Sequence, residues 1–143
     1  MELKEVIDAL EKWNDLLNEH KFEEAHALCE GILAETYEPV ARIHLLHSKA
    51  VSSLYSGDVG KARIEFEEVW REGRKGEARQ LGRWVAHTLR AYLSRSRDLS
   101  TKSAEFMDLI SLVAEKVGVI LPKNETSAEF LLDYIVTETK DVE

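Results

Sequence analysis

Apolar residues return at helical spacing along almost the whole chain, and no alternating run is long enough to form a strand. The stripes and their punctuation predict seven helices. The first covers about residues 2–19, with Leu3, Val6, Ile7, Leu10, Trp13 and Leu17 on one stripe. The second covers about 22–35, with Ala25, Leu28, Cys29, Ile32 and Leu33 inward. Pro39 suits the first turn of a third helix, where its missing N–H leaves no bond unmade, and that helix continues to about Ser56. Gly57 and Asp58 break and restart the chain, and a fourth helix reaches about Glu72. Gly73 and Gly76 punctuate the next connection before a fifth helix over about 77–94. A sixth, from about Ser100 to Val117, stops at Gly118 with Pro122 beyond it. Thr126, Ser127, Ala128 and Glu129 read as a capping box that starts a seventh, with Phe130, Leu131, Tyr134 and Ile135 as its apolar face.

These stripes repeat. His20 to Glu35 lies over Gly57 to Glu72 at a shift of 37, so that Phe22 falls on Val59, Ala25 on Ala62, Cys29 on Phe66 and Ile32 on Val69. Upstream, Leu17 falls on Leu54, and a weaker third copy near a shift of 40 aligns Leu99, Phe106 and Leu109. A helical pair of this kind cannot bury both faces alone, so such units stack and end in a capping helix. With Ala50 in the first helix of the second copy, Gly57 and Asp58 in its turn, and Val59, Ala62 and Phe66 in its second helix, the chain resembles the tetratricopeptide repeat family over roughly residues 5–112. It departs from that family at Trp13, which stands where Ala50 does, at Ile32 and Val69, and in a period longer than about 34 residues. The resemblance implies an all-α fold: about three stacked antiparallel hairpins over 2–36, 38–73 and 77–117, capped by a helix over 126–140, in one domain spanning 1–143. It also implies a scaffold for protein contacts, with the first helix of each pair lining a concave surface. An irregular helical bundle shares the same periodicity.

Composition narrows the setting. A length of 143 residues with 44% hydrophobic and 32% charged residues and only 2 Pro excludes disordered and collagen-like classes. The longest uncharged stretch, Ala50 to Gly57, falls far short of the roughly 20 apolar residues that span a bilayer, so no membrane insertion is expected. The opening MELKEVIDALEKW places Glu and Lys where a secretory leader needs an apolar body, and the lone Cys29 excludes an internal disulfide. Together they predict a reducing, cytoplasmic setting.

The net charge of −8 argues against wholesale wrapping of nucleic acid, but it hides an asymmetry. From Arg71 to Arg97 eight basic residues stand against Glu72 and Glu77. On the fifth helix Leu81, Val85, Leu89 and Tyr92 point one way, while Arg79, Arg83, Arg90 and Arg97 cluster opposite and His87 joins them. That face carries a single sign, where a merely solvated face usually mixes both. Planar guanidinium forks suit carboxylates or phosphates, so the expected partner is a protein offering an acidic segment or a terminal carboxylate. A nucleic-acid reading would use the same arginines with Trp84 and Tyr92 as stacking platforms, but no second basic face extends the track.

Other candidate chemistry is sparse. His26 and Cys29 share a face of the second helix and His44 and His47 one of the third, and an antiparallel pairing sets all four at one level, a sensible zinc set. Cys29 and His47 also lie on apolar stripes, where a buried thiol and a hydrogen-bonded core histidine are ordinary. No HExxH, phosphate-cradling glycine loop or Gly-flanked serine is present, and Cys29 beside His26 has no oxyanion site, so the expectation is a chain that is not an enzyme and has no cofactor. Trp13, Trp70 and Trp84 are read as core fillers. If the last helix left Phe130 and Tyr134 uncovered, a second copy of the chain could bury them, so a homodimer is a candidate assembly.

Overall fold

The computed structural model describes residues 2–95, 104–124 and 127–141. Its helices are α1 (Leu3–Asn18), α2 (Phe22–Leu33), α3 (Pro39–Tyr55), α4 (Val59–Glu72), α5 (Ala78–Arg95), α6 (Ala104–Val117) and α7 (Ala128–Glu138), with a 3-10 turn, Lys75–Glu77, before α5. No strand occurs among the described residues, so the fold is all-α, and none of these helices is long and apolar enough to cross a membrane. The expected sixth-helix start at Ser100, together with Arg97, Leu99 and Thr126, lies outside the described residues.

The chain forms two compact units, Met1–Glu72 and Gly73–Glu143. In the first, α1 packs on α2, α2 on α3, α3 on α4, and α1 also meets α3. Of the positions that match at a shift of 37, Leu17 and Leu54, Ala25 and Ala62, Cys29 and Phe66 are all buried, whereas Phe22 and Ile32 are half-buried where Val59 and Val69 are buried. α3 and α4 run antiparallel, with Ser53 against Glu65 at one end and Arg42 against Glu72 at the other. As the central helix, α3 buries Ser48, Ser52 and Ser53 as well as its aliphatic side chains. The Ser52 and Ser53 hydroxyls are tolerable there because they are bonded: Ser53 Oγ donates to Glu65, and Ser52 Oγ donates to the Ser48 carbonyl at 2.9 Å and accepts from Trp13 Nε1 at 2.8 Å. Trp13 is accordingly half-buried, with its ring inward and its N–H satisfied.

Helix ends in this unit are closed by side chains. Glu38 accepts from the Val40 and Ala41 amides at the start of α3. Arg42 Nη1 donates to the Leu33 and Thr36 carbonyls at the end of α2, at 2.9 and 2.8 Å, while its Nε holds Glu72 at 2.7 Å. That contact keeps the Glu72 carboxyl below its ordinary range and raises Arg42. Between α3 and α4, Gly57 takes φ 95°, a conformation glycine adopts without a side-chain clash, and Asp58 restarts the helix by accepting from the Lys61 amide.

In the second unit α5 packs on both α6 and α7, and α6 on α7. Tyr92 and Phe106 meet with ring centroids 5.9 Å apart, and Gly118 at φ 73° ends α6. The cap of α7 is Ser127, whose side chain accepts from the Phe130 amide at 3.2 Å. The inward face of α7 is Leu131, Leu132 and Ile135; Phe130 is exposed and stacks at 6.4 Å on half-buried Tyr134. The sequence stripe assigned Phe130 and Tyr134 inward, but α7 meets two helices at once, and that wider sector takes adjacent leucines instead.

Candidate functional site

The basic face of α5 sits beside a second packing sector. Leu81, Val85, Leu89 and Tyr92 are buried as expected, and Gly82 and Ala86, one turn apart, are buried as well. α5 packs on α7, and the arginines on this side of α5 reach polar groups of that helix. Arg83 Nη1 donates to the Val136 carbonyl at 2.6 Å and to Thr139 Oγ1 at 3.1 Å. Arg79 donates to the Val117 carbonyl at 2.7 Å, to the Glu138 carbonyl at 3.3 Å and to Asp141 Oδ1 at 2.7 Å. Arg90 spans Asp133 Oδ1 and Glu129 Oε1, both at 2.9 Å.

Two kinds of chemistry are combined here. The last carbonyls of α6 and α7 have no intrahelical partner and carry the negative end of the helix dipole, which guanidinium groups satisfy. Glu129 and Asp133 of α7, with Asp141 just beyond it, supply the sign that the α5 sequence lacks: the face is single-signed along α5 and laced with ion pairs once this segment is in place. Arg79 holds the Asp141 carboxyl below its ordinary range through that hydrogen bond. The pairs with Glu129, Asp133 and Asp141 lie at the rim, these carboxylate side chains being 63%, 57% and 69% exposed. His87 is exposed on the same helix, and Arg97 lies outside the described residues.

The first unit holds a polar cluster that motif reasoning overlooked. Glu65, only 4% exposed, accepts a hydrogen bond from Ser53 Oγ, lies 2.6 Å from His26 Nε2 and has Lys49 Nζ at 3.8 Å. The other ring nitrogen of His26, Nδ1, faces Glu30 Oε1 at 3.1 Å. Its signal was in the repeat itself: at a shift of 37, Glu65 falls on Leu28, an inward position, so a charge stands where the pattern calls for an apolar side chain. A cavity of 330 Å³ lies over the cluster, lined by Phe22, His26, Glu30, Ser53, Asp58 and Lys61 among others.

The arrangement is a structural tie. Ser53 donates to the Glu65 carboxylate and not to the imidazole, so His26 is not the group placed on its proton. Cys29 is buried, and burial followed by the nearby Glu65 charge pushes its thiol up to about 12, far from a reactive thiolate. His47 packs edge-on to Phe66 at 5.7 Å, and burial, with a smaller push from His44, lowers it to about 3. His44 is exposed. With His26 engaged by Glu65 and Glu30, the four residues His26, Cys29, His44 and His47 do not assemble into a ligand set; among the described residues no group of three or more His, Cys, Asp or Glu is placed to hold a metal.

Compared with protein-family models, with curated proteins and with solved structures, the chain matches none of them.

Proposed function

We propose that this chain is a noncatalytic protein-interaction module that holds an acidic helical segment of a partner on the basic face of α5. The observation that carries this reading is the way α5 treats α7: guanidinium groups take helix-end carbonyls and carboxylates spaced one turn apart, Glu129 and Asp133. The face is chemically suited to that class of ligand, and its resident occupant is the chain's own helix.

Burial limits what a partner can displace. Leu131, Leu132 and Ile135 anchor α7 in the core of its unit, so the helix stays seated. Arg83, reaching a backbone carbonyl and Thr139 beneath the rim, stays with it. Arg90 is different, because its carboxylate partners are largely solvated and such pairs contribute roughly 0 to 1 kcal/mol; Arg79 keeps the Val117 and Glu138 carbonyls and can exchange its solvated Asp141. Exchange of Asp133 or Asp141 for a partner's carboxylate is therefore nearly neutral, and binding is expected to be weak and salt-sensitive. A tetratricopeptide-like hairpin pair in α1–α4 fits this role, supported by the shared burial of three of the pairs related by a shift of 37, and a cytoplasmic location suits a chain whose single thiol is buried.

The test is fluorescence anisotropy with a labelled helical peptide carrying Glu at i and i+4, at low and high salt. Binding is expected to weaken steeply with salt, to strengthen several-fold in the Asp133→Asn, Asp141→Asn double variant, and to vanish in Arg79→Glu, Arg90→Glu once circular dichroism shows that variant folded. Absence of binding at about 1 mM peptide in both the native chain and the Asn variant, or unchanged binding in the Arg variant, refutes the reading.

A further inference from the structure

The outer face of α1 is apolar, exposed and separate from the α5 site. Leu3, Ile7, Leu10 and Asn14 recur at spacings of four, three and four, the seam of a two-helix contact, with Ile and Asn at one core position and Leu at the other. Leu3 is 61% and Ile7 48% exposed, while the stripe facing the rest of the unit is a different one, with Val6 and Leu17 buried. A shallow cavity of 510 Å³ lies along the outer seam, lined by Ile7, Leu10, Glu11, Asn14 and Asp15. Lys4, Glu11 and Asp15 flank it on one side, and none of the three forms an ion pair among the described residues.

We infer that a second copy of this chain docks on this face, the two α1 helices antiparallel about a two-fold axis. A two-fold contact requires a self-complementary patch, and this one qualifies. The register that sets Ile7 against Leu10 of the second copy also sets Leu3 against its Asn14, so all four seam positions are used in symmetric layers. In the same register Lys4 of each chain falls between Glu11 and Asp15 of the other, within a turn of both. In a parallel pair the two copies of this flank lie on opposite sides of the seam, so Lys4 meets neither Glu11 nor Asp15 of the other chain, and charge selects the antiparallel orientation. A single helix face of about four turns makes a small interface, which implies a reversible dimer with a dissociation constant on the order of 100 µM.

Sedimentation equilibrium of the full chain from about 10 µM to about 1 mM tests this. The expected result is a monomer–dimer equilibrium that disappears in Ile7→Lys, a change at an exposed position that circular dichroism should show to be folded. Lys4→Glu is expected to weaken the dimer about tenfold, and the triple change Lys4→Glu, Glu11→Lys, Asp15→Lys to restore it, because it inverts every charge of the complementary set. A chain that stays monomeric throughout that range overturns the inference and leaves the stripe to a partner of another sequence. A dimer that survives Ile7→Lys overturns it by placing the contact elsewhere, and failure of the triple variant to recover overturns the antiparallel register.

Discussion

Glu65 in the first unit and Arg90 in the second are both charged side chains that tie helices together, yet they do so in opposite surroundings. Glu65 is buried and meets Ser53, His26 and Lys49 from α2 and α3. Arg90 lies at the rim and meets Glu129 and Asp133 on α7, both solvated. A buried charge is stable only while its partners remain, since each lost contact leaves a desolvated group unmatched. A rim charge falls back on water. The first unit is therefore specified by polar contacts that cannot be exchanged, and the second offers contacts that can, which is why the proposed partner site belongs to α5.

Removing Glu65 breaks this contrast most severely. Glu65→Ala removes the buried carboxylate that Ser53, His26 and Lys49 share, leaving the buried Ser53 hydroxyl without its acceptor, and a loss of about 3 to 5 kcal/mol is expected in urea unfolding of the first unit. A loss below about 1 kcal/mol would show that the cluster is solvated and that the two units are tied alike.

Arg83 sharpens the comparison from the other side, because it bonds a backbone carbonyl and the buried Thr139 hydroxyl rather than a carboxylate at the rim. Arg83→Ala should destabilise the second unit by about 1 to 3 kcal/mol, with faster amide exchange along α7. An effect as small as that of Arg90→Ala would place Arg83 at the rim as well.

His47 provides a pH probe confined to the first unit. Its folded value of about 3 lies below the ordinary 6.5, so the unfolded chain takes up the proton first. Stability from the neutral buried ring is complete above about pH 6.5 and declines as pH falls toward 3, by about 2 kcal/mol between pH 7 and pH 5. In thermal melts across that range, His47→Gln should flatten the slope; an unchanged slope would assign it to another group.

The smallest effect is expected for Arg90→Ala, under about 1 kcal/mol and fading with added salt. A larger, salt-independent loss would make the α5 face a fixed internal joint and remove the basis for carboxylate exchange.

Much of the architecture was legible in the stripes. The ends of α1 to α4 follow from Pro39, Gly57, Asp58 and the spacing of apolar residues, because capping and amphipathicity are local properties. The equivalence of Ala25 with Ala62 and of Cys29 with Phe66 was visible as a repeat, and both pairs are buried. At the candidate site the sequence placed Arg79, Arg83 and Arg90 on one face of α5 correctly, since helical periodicity alone decides that. What those arginines meet was not legible.

Sequence by itself determined the helices, the repeat and the side of α5 on which positive charge collects, all of which depend on residues within a turn or two of one another. Only the tertiary structure decided that α7 supplies the opposite charge, from residues some 40 to 60 positions away. Gly82 and Ala86 are buried, but small residues give no indication of what will cover them. Glu65 illustrates the same division: its inward position was fixed by the stripe, and only the folding of α2 and α3 around α4 provided the partners that let a charge remain there.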